Sequence, residues 1–311
     1  MEFQTKPQIA LTLIDRALAN GIRVAAWTFD ELYGHDSKFL DALDGRKQAY
    51  VAEIASNTQV WAARPHVIRK ASARSRRGRP AKVPRVASRS VSCQVRNLLR
   101  HSPKFQQQRW QRYRVKDTQK GPEVWEVKWL KVWRKNEEKL PSRQQTLIVA
   151  RNLRTGQLKY FLSNRIIGHD GVTLRWLLRV AFGRWSIEAC FRLAKEELGM
   201  DHFEVRGWRC IHRHYYVTAV SYLFCSRLRK HLDVNHTGEL TVEQVRRSVN
   251  AYLNYSNLPP PLRDKAWEKE LAEQSYHQAR NAQATRSHTK TRINPYHDLG
   301  INLHRIKSCI T

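Results

Sequence analysis

The chain has 311 residues, with 56 Lys and Arg against 27 Asp and Glu, a formal net charge of +29. So large an imbalance repels itself, which points to a polyanionic partner. An anionic membrane is disfavoured, since no apolar run of about eighteen residues, signal peptide or lipidation motif is read, and the ten Trp argue against a wholly disordered basic tail. Residues 7–20 then place Ile9, Leu13 and Ala17 at helical spacing, flanked by Ile14 and Leu18, with Gly21 where a C-cap belongs. IRVAAWTF, residues 22–29, reads as a short buried strand ending at Asp30. Residues 31–34 read as a turn, and a second helix follows with Ser37 as its N-cap. Tyr50 to Ile54 is a second apolar strand. This helix–strand–helix–strand series predicts an α/β layer with parallel neighbours. Asp30 then lies at the carboxyl end of a strand, where open α/β sheets hold their sites; the alternative is an Asp that merely forms a turn.

From Arg64 to Arg96 the chain is rich in Arg, Ser and Ala without hydrophobic period, and it reads as a loop or basic arm. Within it, Arg77-Gly78-Arg79-Pro80 resembles a minor-groove hook, against the alternative of a non-specific phosphate-binding arm. Residues 123–162 predict a mostly β module. Trp125, Val127 and Trp129 share one face, Glu126 and Lys128 the other, and Arg154-Thr155-Gly156 makes a hairpin turn. Helix returns over 173–198, with Gly183 a candidate break. A loop with Arg206 and Trp208 leads into a long helix, whose Tyr216, Val220, Leu223, Phe224 and Leu228 are expected to pack on the sheet. A further helix is read within 236–260, and the basic, polar stretch from Gln278 to Arg292 reads as a tail with electrostatic DNA contacts. Four segments are expected, 1–63, 64–170, 171–235 and 236–311. Five scattered cysteines without a CxxC pair suggest buried thiols in a reducing compartment, and Cys210, His212 and His214 lack a second cluster to complete a zinc set.

The most specific stretch is FGRWSIEACFRLAKEELG, residues 182–199. On one helix, Arg184, Glu188, Phe191 and Lys195 share a face, with Trp185 beside them; an ordinary i,i+4 surface pair is the alternative. RWSIEACFRLAKEELGM resembles a run in insertion-sequence transposases of the DDE, RNase H-like superfamily. The likeness is to the group with a Tyr-x2-Arg-x3-Glu-x6-Lys signature. FDELYG, HFEVRGWRCIHRH and NAQATRSH also resemble that family.

The resemblance implies an α/β (α+β) fold: an RNase H-like transposase core lacking its first strands, with a mostly β insertion before the catalytic-Glu helix. It implies Asp30 and Glu188 as the second and third carboxylates of a two-Mg²⁺ site for strand cleavage and transfer. Arg184 and Lys195 become phosphate clamps, and Trp185, Arg206, Arg77 and Arg79 further DNA contacts. The implied partners are transposon ends and target DNA, met by a homo-oligomer in the cytoplasm on chromosomal DNA, with neither membrane nor small-molecule substrate. Two departures stand out. Ala181 replaces the signature Tyr, and the family's first Asp is missing, because Glu2 precedes all structure and Asp15 falls inside a helix. The expectation is an N-terminally truncated transposase, inactive alone unless the missing segment is supplied by recoding or in trans, and with an unpaired, aggregation-prone edge on strand 22–29. The alternative is a non-catalytic DNA- or RNA-binding protein.

Overall fold

Thr5 opens the first helix, α1 (Lys6–Ala19), through a capping box with Gln8, and Gly21 follows the Asn20 C-cap at φ +75°. The face that packs is Ala10, Leu11, Ile14 and Leu18, whereas Ile9 and Leu13 are exposed, one position away from the expected stripe. Strand β1 is Trp27–Phe29, only the end of the expected segment. Asp30 then caps a short helix, α2 (Glu31–His35), in place of the expected turn, and Asp36, not Ser37, caps α3 (Ser37–Gly45). Strand β2 (Tyr50–Ile54) coincides with its expected bounds and runs parallel to β1. These coordinates are a computed structural model, and the described residues are 3–68, 84–118, 121–232 and 240–309.

The basic stretch after β2 carries more structure than a loop. After β3 (Gln59–Trp61), the described residues of Arg64–Arg96 hold the antiparallel pair β4 (Val67–Ile68) and β5 (Arg85–Val86), and β6 (Cys93–Gln94). Two short helices, α4 (Val95–His101) and α5 (Pro103–Gln106), lead to β7 (Gln111–Thr118). The β module follows as β8 (Gly121–Lys135), β9 (Pro141–Asn152) and β10 (Leu158–Ser163), and α6 (Leu174–Gly183) closes the run. Together with β11 (Lys307–Ser308), nine strands make one mixed sheet in the order β1-β2-β10-β9-β8-β3-β6, with β7 on β8 and β11 on β7. Among the described residues the outer edge of β1 pairs with no strand. The architecture is mixed α/β, the class that the resemblance implies.

Alternation along β8 to β10 sorts the core onto two faces. Trp125, Val127, Ile148, Ala150 and Phe161 pack with Leu177 and Leu178 of α6. Val132, Leu147, Val149 and Leu162 pack with Val95, Leu98 and Phe105 of α4 and α5. Glu126 and Lys128 do face away from Trp125, yet they are buried rather than solvated. Lys128 Nζ donates to Phe105 O at 2.5 Å, and its desolvation, helped by Arg151, lowers its pKa.

The seam between β2 and β10 pairs Ile54, Glu53, Ala52 and Val51 with Tyr160 to Ser163. Asn164 stands at its end. Its Nδ2 donates to Asp44 Oδ1 and Gln48 O, both at 2.8 Å, and its Oδ1 accepts from Tyr50 N at 3.0 Å. Gln145 Nε2 donates to the buried Tyr50 hydroxyl at 2.6 Å.

The chain divides into two compact units, Met1–Arg184 with Thr289–Thr311, and Trp185–His288. The second contains α7 (Trp185–Leu198), α8 (Trp208–Leu232), α9 (Val242–Tyr255) and most of α10 (Pro260–Asp298). Its core joins Leu193 and Leu198 of α7, Cys225 and Leu228 of α8, and Val242 and Val245 of α9. Two expectations are corrected here. Tyr216, Val220, Leu223 and Phe224 are exposed instead of packed on a sheet, and Gln278–Arg292 is helix rather than tail. In the first unit, the end of α10 is anchored by Tyr296, buried with Val124 and Ile301, and by Arg292 donating to Gly121 O.

Two stability outcomes follow. A Cβ at Gly34 would fall 1.9 Å from the Glu53 carbonyl oxygen, so α2 rests on β2 only through a glycine. Gly34→Ala should lower the urea-unfolding free energy by about 1–3 kcal/mol; an unchanged midpoint would contradict this packing. Burial raises the Asp44 pKa, with Asn164 working in the opposite direction. A carboxyl raised in the folded state favours folding most at low pH, and that contribution is lost as pH rises through the raised value. Asp44→Asn keeps an acceptor for Asn164 and should gain about 1 kcal/mol over the native chain at neutral pH. The gain should vanish in acid, and equal stability at both pH values would count against the assignment.

Candidate DNA-processing site

Asp30 sits where β1 gives way to α2, and its conformation is set by its neighbours. Phe29 is directed to the core, where its ring meets Phe39 at 4.8 Å and Tyr33 at 5.8 Å. With Phe29 inward and Gly34 against β2, Asp30 is left half-buried at the carboxyl end of the strand. Its Oδ1 accepts from Leu32 N at 3.1 Å, the ordinary work of an N-cap. The structure therefore gives Asp30 a local structural role, whatever chemistry it also has.

Four other acids of α1, α3 and β2 are engaged elsewhere. Asp36 Oδ1 accepts from Phe39 N at 2.9 Å, Glu53 pairs with Lys159 at 2.8 Å, and Asp41 pairs with the buried Arg134 at 2.5 Å. Asp15, inside α1, is held below the usual carboxylate range by its hydrogen bonds to Arg46.

Glu188 belongs to the second unit. Gly183 ends α6, and Arg184 (φ −54°, ψ −36°) separates it from α7, so the expected break falls where the glycine suggests. On α7, Glu188, Phe191 and Lys195 are all exposed, as their spacing requires, and Trp185 is partly exposed beside them. Arg192 and Glu196 also form an ion pair on this helix, at 2.7 Å. Glu197 reaches Arg246 of α9 at 3.3 Å. Ala181, in the place of the signature Tyr, is buried in the core and offers no group to a phosphate. Arg206 is exposed ahead of α8. Arg77 and Arg79 lie outside the described residues.

Asp30 and Glu188 thus fall in different units, each placed by its own element. Among the described residues, no group of three or more His, Cys, Asp or Glu gathers to hold a metal ion. Hard divalent ions need several oxygen ligands converging on one point. Within neither unit do the described residues meet that requirement.

A cationic cluster also gathers on the β7–β9 face. Arg112, Glu126 and Arg151 lie in register across β7, β8 and β9, and Glu126 accepts from both guanidinium groups, Arg112 at 3.2 Å and Arg151 at 2.5 Å. Arg151 and Lys128 also flank the Trp110 ring, at 4.5 and 5.0 Å from its centroid. An open groove of about 800 Å³ beside them is lined by Trp110, Arg112, Glu126, Asn302, Arg305 and Lys307. The alternation of Tyr113 and Val115 with Arg112, Arg114 and Lys116 was the available signal for β7.

Among the described residues no helix is long and apolar enough to cross a membrane, and all five cysteines are free. No curated protein matches the chain. Residues 1–122 match the family model described as DDE superfamily endonuclease, a span that begins with α1 and holds Asp30, β1 and β2. This part of the chain is thus similar to DDE superfamily endonucleases, the likeness expected of a DDE-type transposase.

Proposed function

We propose that the chain is a DNA transposition protein of an insertion sequence, binding element ends and target DNA through its basic surfaces. The match to DDE superfamily endonucleases over residues 1–122 carries this reading, and the net charge of +29 supports it. In it, Asp30 and Glu188 are two of the acids of the family's metal site, and Mg²⁺ is the ion assigned. Arg184 offers a bidentate fork and Lys195 a point charge to DNA phosphates, with Trp185 and Arg206 adjoining. Arg77 and Arg79 belong to an arm along the DNA backbone. The protein acts as a homo-oligomer on paired ends, on chromosomal DNA in the cytoplasm. Alone, the chain binds DNA without cutting it.

The binding needs no metal and is governed by counterion release. With about six phosphate contacts, affinity should fall on the order of a thousandfold between 50 and 200 mM salt. Lys195→Ala should reduce the slope of log K against log salt by about one. These are read by fluorescence anisotropy, alongside a nicking assay with Mg²⁺. Salt-independent binding would sink the DNA reading, and Mg²⁺-dependent cleavage that disappears in Asp30→Ala would sink the claim that the chain does not cut alone.

A second reading is favoured by the contact from Leu32 N–H to Asp30: a non-catalytic nucleic-acid-binding protein in which Asp30 is simply a cap. Asn caps nearly as well as Asp, so capping alone predicts that Asp30→Asn is neutral and that Asp30→Ala costs about 1 kcal/mol in thermal or urea melts. If a partner segment restores cleavage to the native chain, loss of that cleavage in Asp30→Asn rules this second reading out. Retained cleavage in that variant removes Asp30 from the metal site.

A further inference from the structure

Helix α8 carries an aromatic ladder on an exposed face. Trp208, His212 and Tyr216 follow at four-residue steps, with ring centroids 4.1 Å apart for Trp208 and His212 and 6.0 Å for His212 and Tyr216. Trp208 is 71% exposed and Tyr216 68%, and the stripe continues through Val220 and Phe224 at 66% and 54%. The opposite face, with Thr218 and Cys225, is the one that is buried. Aromatic rings of this size are normally covered in a folded chain, so a face of them calls for an occupant.

The charge on the same helix selects that occupant. From Trp208 to Leu232 there are five Lys and Arg (Arg209, Arg213, Arg227, Arg229, Lys230) and no Asp or Glu. A second copy of α8 laid on this face would oppose like charges, whereas a polyanion would be attracted along its length. Four residues of helix rise about 6 Å, nearly twice the 3.4 Å between successive phosphates of one duplex strand. A strand that follows the ladder therefore has to open its base stacking. A single strand does that readily; a paired duplex does not.

We propose that the exposed face of α8 binds single-stranded nucleic acid, with Trp208 and Tyr216 receiving unstacked bases and Arg209 and Arg213 the adjacent phosphates. Stacking on aromatic rings combined with a cationic track is how sequence-tolerant single-strand sites work. The inference rests on the nucleic-acid-binding reading above and adds to it the form of the strand: the site takes up bases freed at an opened DNA end.

The test uses the full chain, labelled oligo(dT) and a blunt duplex, read by anisotropy at fixed salt. The double variant Trp208→Ala/Tyr216→Ala should bind oligo(dT) about tenfold more weakly or worse, with duplex affinity nearly unchanged. Trp208→Phe/Tyr216→Phe keeps the rings and should retain single-strand binding, which separates ring stacking from misfolding. Native oligo(dT) affinity in the alanine variant, while duplex still binds, overturns this inference alone. An equal loss on strand and duplex also overturns it, since the rings would then serve both. A native chain that binds neither nucleic acid removes the functional reading as well. Co-sedimentation with phosphatidylserine vesicles, or a concentration-dependent dimer, that is abolished by the alanine substitutions while oligo(dT) binding persists would assign the face to a membrane or a second copy.

Discussion

The seam where β10 docks on β2 is the contact on which the first unit depends. Four residue pairs join a strand from the start of the chain to one that comes more than a hundred residues later. The backbone ladder is reinforced by polar groups that leave little freedom in register. Lys159 reaches Glu53 at 2.8 Å, Ser163 Oγ donates to Tyr50 O at 2.6 Å, and Asn164 ties β2 to the end of α3. A one-residue slip would exchange Phe161 and Leu162 between the two core faces and undo all of these at once. Through this seam the Asp30 edge and the long β8–β9 hairpin belong to one sheet, so the acid is placed by a rigid element.

The scarcity of acids shapes the rest. With 27 carboxylates set against 56 cations, those carboxylates are valuable as partners for cations that cannot reach water. Glu126 joins Arg112 and Arg151 across three strands, Asp41 pairs with the buried Arg134, and Glu197 anchors Arg246 between two helices of the second unit. Each of these acids is spent on structure. The described residues are thus rich in groups that attract phosphate and poor in the convergent oxygens that hold a divalent ion.

The sequence was most legible where one pattern dominated. Tyr50–Ile54 is a short apolar run with a single reading, and Arg154-Thr155-Gly156 closes its hairpin with Gly156 at φ +71°. Legibility failed where tertiary partners decide. Residues 22–26 have strand-like composition but no ladder, so only Trp27–Phe29 remains. The polar stretch 278–292 shows no hydrophobic period, yet it contains good helix formers, and its far end is fixed by Tyr296 and Arg292. The α8 stripe looks like a core face in sequence because hydrophobic spacing is the same for a buried helix and an unpartnered one. The site was half legible. Glu188 and Lys195 share an exposed face as their spacing demands, and Asp30 ends a strand, but spacing along a chain cannot tell whether acids from separate units meet.

The central claim is the proposal that this chain, whose residues 1–122 match DDE superfamily endonucleases, binds DNA through its cationic groups and takes up no divalent-ion pair by itself. Calorimetric titration of Mg²⁺ into the full chain, with and without bound DNA, tests it most directly. The account predicts no saturable ion binding in either state. Stoichiometric binding of two ions, lost in both Asp30→Ala and Glu188→Ala, would contradict it.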